Sequence, residues 1–255
     1  MLGSSCSIPR PGRACSGYLV SAAQTAFVID FGSGSCANLA RYRPVDSLDG
    51  IVISHMHADH FLDLVTLRYA LRYGARSNGR RTSLHLPPGG SATLRRLVAA
   101  FPPEAGPDFL DVFDVGEYDP EAGLQIGSVR LRFTPTRHYV PTYAIRCDAG
   151  AASLTYSADT APASHVSDLA DSCGALLCEA TLGPGDEADA GRDPARGHLF
   201  AREAGALAAA ASARRLLVTH YPASADGTRL AREAANAFAG PISVVDDGDV
   251  FTIES

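Results

Sequence analysis

The motif His-x-His-x-Asp-His at positions 55–60 has the residue types and the spacing of a metal site. It places three of the chain's eight histidines and one aspartate within six residues. Imidazole and carboxylate groups are ligands that Zn²⁺ and similar metals take, and this many on one turn are costly to desolvate unless a cation holds them. The spacing lets His55 and His57 bind one metal while Asp59 and His60 bind a second. A lone histidine is more often a core or surface residue, but this run is typical of metal ligands.

Short apolar runs bounded by Gly, Pro or Asp predict β-strands, and the motif directly follows one of them. The predicted strands cover 18–21, 25–31, 50–54, a run that begins near Leu110, 129–135, 142–147, 153–157, 175–180 and 216–219. Apolar residues near helical spacing predict helices over 61–73, 91–101, 199–213 and 228–239. Residues 242–245 and 250–253, separated by an Asp-Asp-Gly-Asp turn, predict a terminal hairpin.

The order of these elements predicts the architecture. Two strand-rich stretches, each with its own helices, indicate two sheets packed face to face with helices outside, which is a four-layer αββα sandwich of the mixed α/β (α+β) class. No linker or repeat interrupts the pattern, so we expect a single domain over residues 1–255. Sites on such folds gather where strands end and loops converge.

The motif resembles that of the metallo-β-lactamase fold superfamily, and later residues extend the resemblance. The family pattern implies a third histidine for the first metal, an aspartate that bridges both metals and a last histidine for the second metal. His138, Asp159 and His220 match these positions, each at the end of a strand-like run. Asp30 matches an acidic residue of the family that orients the metal ligands without binding the metal itself. The implied metal ligands are His55, His57, Asp59, His60, His138, Asp159 and His220.

The same resemblance implies two divalent metal ions. Zn²⁺ is the first expectation, and Mn²⁺ or Fe would be accepted by the same ligands. Two metals about 3.5–4 Å apart lower the pKa of a shared water toward neutrality, and the resulting bridging hydroxide attacks the substrate.

Two segments resemble the ribonuclease Z-like branch of the superfamily. One is the Glu-Ala-Thr run at 179–181, and the other is a His-x-x-Ala-x-x-Ala run that begins at His198. The bridging residue is Asp159, whereas a cysteine there would suggest β-lactamase chemistry. The resemblance implies that His198 contacts the phosphoryl oxygens or protonates the leaving oxygen while Glu179 orients its ring. The implied catalytic residues are Asp59, His198 and Glu179.

Enzymes of that branch that process the 3′ end of transfer RNA usually carry a long arm that grips the RNA. In the short form the arm lies between the third histidine and the bridging aspartate, but here only 20 residues separate His138 from Asp159. Two predicted strands use most of them. The net charge of −6 agrees, because a protein that binds a polyanion needs a dense basic surface.

The resemblance therefore implies a metal-dependent hydrolase of the phosphodiesterase type, acting on small phosphodiesters such as cyclic nucleotides. Three alternatives stay open. The same metal centre would serve a thioester or lactone hydrolase, the chain could process precursor transfer RNA without an arm, or it could be a metal-bound scaffold or sensor without turnover.

Composition indicates which cellular location and which partners to expect. With 46% hydrophobic and 20% charged residues the chain can bury a core, but no stretch reaches the roughly 18 apolar residues of a membrane span. We find no apolar signal-peptide region at the N-terminus, and the six cysteines contain no CxxC pair and are expected to be reduced. We therefore expect a cytoplasmic protein with a small-molecule substrate and no membrane or stable nucleic-acid partner. The sequence does not fix the oligomeric state, although homodimers are common in the family.

Overall fold

The computed structural model describes residues 1–74, 80–101, 111–186 and 195–254. Its strands form two sheets. The first sheet runs through β1 (Gly17–Ala22), β2 (Thr25–Phe31), β3 (Gly50–Val52), β4 (Thr82–Leu86) and β5 (Phe113–Glu117). The second runs through β12 (Ile242–Val244), β11 (Leu216–Thr219), β10 (Ala175–Glu179), β9 (Ala152–Tyr156), β8 (Tyr143–Ala149), β7 (Val129–Pro135) and β6 (Leu124–Ile126).

Strand direction brings several strand ends to one edge of each sheet. In the first sheet β2, β3, β4 and β5 are parallel neighbours, and only β1 is antiparallel. In the second sheet β9, β10, β11 and β12 are parallel, while β6 to β9 alternate, so β7 points the same way as β9. The carboxyl ends of β7, β9, β10 and β11 therefore share an edge, as do those of β2 and β3.

Helices cover the outer face of each sheet. On the first sheet lie α1 (Ser35–Leu39), a 3₁₀ turn (Val45–Ser47), α2 (Ala58–Phe61), α3 (Asp63–Tyr73) and α4 (Gly90–Val98), and on the second lie α5 (Ser164–Leu169), α6 (Ala201–Ala210) and α7 (Gly227–Ala235). Within the described ranges, no helix has the length and apolar character that crossing a membrane requires.

Alternation of side chains along the strands explains the layering. Successive strand residues point to opposite faces, so Leu177 of β10 packs between the sheets while Leu176 packs against the helices. Leu217 and Leu216 of β11 divide in the same way. The result is three apolar layers between four layers of secondary structure, and the predicted αββα sandwich is confirmed. All six cysteines are buried free thiols.

The predicted terminal hairpin is wrong. β12 pairs in parallel with β11, and residues 250–253 form no strand. The acidic turn at 246–249 binds the N-terminal loop, and it does not lead into a second strand paired with β12. Asp247 accepts hydrogen bonds from the Ser4 amide at 3.0 Å, the Ala14 amide at 2.6 Å and the Asn38 side chain at 3.0 Å. These contacts between the two ends of the chain are not visible as a local pattern.

Smaller differences have simple causes. The predicted helix 61–73 corresponds to α3, α2 before it was not predicted, and the other predicted helices end three or four residues earlier than expected. The sequence-based prediction missed β4, β6, α1 and α5. In β4, buried residues 82, 84 and 86 alternate with half-buried polar ones, which hides the strand from a search for apolar runs. The predicted start near Leu110 lies outside the described residues.

Candidate metal centre

Strand ends of both sheets bring all seven predicted ligands into one cluster. His55 and His57 follow β3, Asp59 and His60 lie in α2, and the remaining three follow strands of the second sheet, namely His138 after β7, Asp159 after β9 and His220 after β11. The facing ends of two sheets thus supply one set of side chains. Whether these residues bind metal stays a prediction, and the geometry of the cluster bears on it.

The first half of the cluster contains three imidazoles and a carboxylate. His57 Nδ1 lies 3.2 Å from His55 Nε2 and 3.0 Å from His138 Nε2. Asp159 Oδ2 lies 3.7 Å from the Nε2 atoms of both His55 and His138. Nitrogen and oxygen ligands each about 2.0–2.2 Å from a common ion have mutual separations of this size. One divalent ion therefore fits among these four side chains.

The second half contains Asp59, His60 and His220. The two Nε2 atoms of His60 and His220 are 3.3 Å apart, and Asp59 Oδ2 lies 3.5 Å and 3.3 Å from them. Asp159 Oδ2, which faces the first half, is also 3.5 Å from His60 Nε2. Its second oxygen, Oδ1, is buried and accepts no hydrogen bond within the described residues. Asp159 therefore faces ring nitrogens of both halves of the cluster.

Burial keeps three of the histidines ready to bind a metal. Removal from water lowers the pKa of His55 well below its usual value, and it also lowers the pKa of His57 and His138. An imidazole binds a metal through the lone pair of its neutral form. These three rings are therefore neutral at physiological pH, with a ring nitrogen available to an ion.

The buried carboxylates of the cluster are stabilised by positive charge close to them. Burial alone would raise the pKa of Asp59 and Asp159, but the imidazoles of His220 and His60 outweigh it and hold both values well below the usual range. Burial likewise opposes a charge on His60, yet Asp159 and Asp30 raise the pKa of His60 well above its usual value. Metal binding displaces such protons. The donor set and its charge therefore fit divalent metal ions.

Asp30, which the resemblance gave as an orienting residue, contacts the second half of the cluster. Its carboxylate lies 2.7 Å from His60 Nδ1, which leaves Nε2 directed at the other ligands. It also accepts hydrogen bonds from the Ser54 amide at 2.7 Å, the Ser54 hydroxyl at 2.8 Å and the Tyr156 hydroxyl at 2.9 Å. Such outer contacts fix the ring orientation of metal ligands.

Two further orienting contacts were missed by sequence reasoning. Thr181 Oγ1 lies 2.8 Å from His220 Nδ1, and the Gly197 carbonyl lies 2.9 Å from His138 Nδ1. Thr181 was visible as the last residue of the Glu-Ala-Thr run, although its partner was not. The carbonyl contact has no sequence signal, because every residue carries that group.

Glu179 and His198 form the predicted hydrogen-bonded pair beside the cluster. Glu179 is fully buried, and its Oε1 lies 3.0 Å from His198 Nδ1, while the same nitrogen is 4.0 Å from Asp159 Oδ2. Burial opposes a charge on His198, but the carboxylate of Glu179 outweighs it and raises the pKa of His198 to about 9. The contact with Glu179 therefore favours the protonated imidazole of His198.

The backbone is strained where it presents these side chains. Asp30, Ala158 and His220 have positive φ values of 54°, 50° and 49°, which side chains rarely adopt, at a cost of about 1–3 kcal/mol each. Gly32 is required for a different reason. A Cβ atom there would lie 1.9 Å from the Asp59 carbonyl oxygen, so only glycine lets β2 approach the motif. Strain of this kind accumulates at functional sites.

Comparison with known proteins shows the family of the chain. The family model of the β-lactamase superfamily domain matches residues 25–221. An uncharacterized protein of Mycobacterium leprae is 34% identical over 259 residues, which cover 100% of this chain and 88% of that protein. Ribonuclease Z of Mycobacterium sp. (strain KMS) is 28% identical over 267 residues, covering 97% of this chain and 93% of that protein.

A solved structure shows the same fold. The crystal structure of the metallo-β-lactamase fold protein YhfI from Bacillus subtilis superimposes with a TM-score of 0.86 at 24% identity, over 98% of this chain and 96% of that one. The family model and this superposition each span most of the chain. The protein therefore belongs to the metallo-β-lactamase superfamily, whose model matches residues 25–221.

Proposed function

We propose that this protein is a metal-dependent phosphodiesterase that hydrolyses small phosphodiesters, with 3′,5′-cyclic nucleotides as the first candidates. The Glu179–His198 pair carries the proposal. During phosphodiester hydrolysis, negative charge builds on the phosphoryl oxygens and on the leaving alkoxide, so a proton donor beside the metal ligands stabilises both. A thiolate leaving group needs no such proton, and the pair therefore favours a phosphodiester over a thioester.

Each residue of the site has a separate role in the reaction. When bound, a pair of divalent ions stabilises the phosphoryl oxygens as Lewis acids and lowers the pKa of the attacking water. Asp59, whose Oδ2 accepts a hydrogen bond from the Ser7 amide at 2.8 Å, accepts the proton of that water. His198 gives a proton from Nε2 to the leaving oxygen. Glu179 holds Nδ1 of the same ring and sets its direction.

The segment between His138 and Asp159 supports a small substrate. It consists of β8, β9 and the short turns around them, including the two-residue turn at 150–151. All of these residues are described, and none forms an arm that reaches out to grip a folded RNA. This agrees with the net charge of −6, which does not favour a polyanionic partner.

Hydrolysis of 3′,5′-cyclic AMP by the purified, metal-reconstituted protein tests this function. We expect chromatography to show 5′-AMP forming at about 1 s⁻¹ or faster, which is within the ordinary range of enzymes. Parallel assays with a precursor transfer RNA, an acyl thioester and a lactone serve as competitors. Cleavage of any of these competitors, with no small phosphodiester hydrolysed and both metals bound, would contradict the proposal.

A further inference from the structure

Tyr139 is an exposed aromatic residue at the rim of the metal-ligand cluster. It directly follows His138, and 57% of its surface is exposed. Its ring centroid lies 4.9 Å from the ring of His138 and 5.8 Å from the ring of His198. Within the described parts of the chain its hydroxyl forms no hydrogen bond. Neither core packing nor a polar contact of the hydroxyl accounts for an aromatic side chain here.

The backbone of Gly197 holds the ring of Tyr139 in place. A Cβ atom on Gly197 would lie 2.8 Å from Cε2 of Tyr139 and 3.0 Å from its Cζ, so the Gly197 backbone packs directly against the ring. That backbone is itself fixed, because the Gly197 carbonyl bonds His138 Nδ1 at 2.9 Å. The exposed ring is therefore positioned in advance of any ligand.

Burial decreases from the metal ligands outward to Tyr139. The side chain of His138 is fully buried and that of His198 is 18% exposed, while Tyr139 is largely exposed. A phosphoryl group at the ligand cluster is in reach of His198, whose Nδ1 is committed to Glu179. The rest of such a substrate, extending toward solvent past His198, would meet the ring of Tyr139, which lies 5.8 Å from the ring of His198.

We propose that Tyr139 is a stacking platform for the base of a nucleotide phosphodiester, and thereby a specificity-determining residue of this site. The inference rests on the proposed function and narrows its substrate class to nucleotides. A preformed aromatic surface is complementary to the flat face of any nucleobase, and stacking of this kind tolerates different bases. The platform therefore selects for the presence of a base more than for its identity.

Kinetics with two substrates test the platform. The substrates are 3′,5′-cyclic AMP and the 3′,5′-cyclic phosphate of methyl riboside, which lacks the base. We expect Tyr139→Ala to raise KM for cyclic AMP about tenfold to a hundredfold, with little change in kcat and little effect on the base-free substrate. Tyr139→Phe keeps the ring and retains the wild-type KM. Tyr73→Ala, which removes an exposed tyrosine at the far end of α3, is the matched control.

Calorimetric binding separates failure of the platform from failure of the proposed function. The probe is a phosphorothioate analogue of cyclic AMP that resists hydrolysis. If Tyr139→Ala binds the analogue more weakly than the wild type and Tyr139→Phe do, the result supports the platform. This holds even if the protein hydrolyses no phosphodiester, and in that case only the proposed function is contradicted. An unchanged KM and affinity in Tyr139→Ala, an equal loss with the base-free substrate, or an equal loss in Tyr139→Phe would overturn the platform. So would a wild-type protein that binds no nucleotide.

Discussion

We expect the Asp59→Ala variant to turn over its substrate at least about a thousandfold more slowly than the wild type. Asp59 Oδ2 lies within 3.5 Å of both His60 and His220, so its removal opens the second half of the ligand cluster. It also removes the acceptor for the proton of the attacking water. Loss of a Lewis acid from such a site costs several kcal/mol of transition-state stabilisation, and each ~1.4 kcal/mol is a factor of ten.

A surface aspartate provides the control for this experiment. Asp114 lies in β5 with its side chain 65% exposed, and it contributes to no part of the ligand cluster. Asp114→Ala should keep wild-type turnover and metal content. If Asp59→Ala stayed within about tenfold of the wild-type rate, a difference of only ~1.4 kcal/mol, Asp59 would be neither a needed ligand nor the proton acceptor.

Removal of His198 should slow hydrolysis by roughly 10²–10⁴-fold, the usual contribution of a general acid. Nδ1 of His198 lies 3.0 Å from Glu179, and Nε2 forms no hydrogen bond within the described residues. The loss should depend on the leaving group. An alkoxide such as that of a nucleoside needs the proton, whereas p-nitrophenolate leaves without it, so His198→Ala should lose far less activity toward a p-nitrophenyl phosphodiester.

This dependence distinguishes proton donation from a structural role. His165, which lies on α5 outside the site, supplies the matched histidine control, and His165→Ala should behave as wild type with both substrates. Metal content measured on each variant shows whether the cluster is intact. Equal losses with the two leaving groups, or no loss with either, would remove His198 from the role of general acid.

The residues predicted for the site lie together in the structure, whereas several helix and strand boundaries were missed, and the reason is physical. Metal ligands must be side chains of a few types, so the run from His55 to His60 stands out by type and spacing. His138, Asp159 and His220 were identified through the family resemblance, and the structure brings them beside that run. The Glu179–His198 pair was inferred from resemblance, and the structure places the two in contact.

The contacts that were missed are those made by the backbone or by distant segments. The Ser7 amide bonds Asp59 and the Gly197 carbonyl bonds His138, yet every residue has these groups, so no residue type marks them. The wrong terminal hairpin has a related cause. Asp247 satisfies amides of the N-terminal loop more than 200 positions away, and nothing local in the sequence distinguishes this from a turn.

Our proposal that the cluster holds two metal ions is tested most directly by the number of ions bound per chain. Plasma mass spectrometry on the metal-reconstituted protein should find two divalent ions in the wild type. Asp159→Asn, which keeps the shape of the bridging residue and removes its charge, should lose at least one of them, while Asp114→Ala should keep both. A folded wild-type protein that binds one ion or none at saturating metal, or an Asp159→Asn variant that still binds two ions as tightly, would contradict the assignment of these ligands.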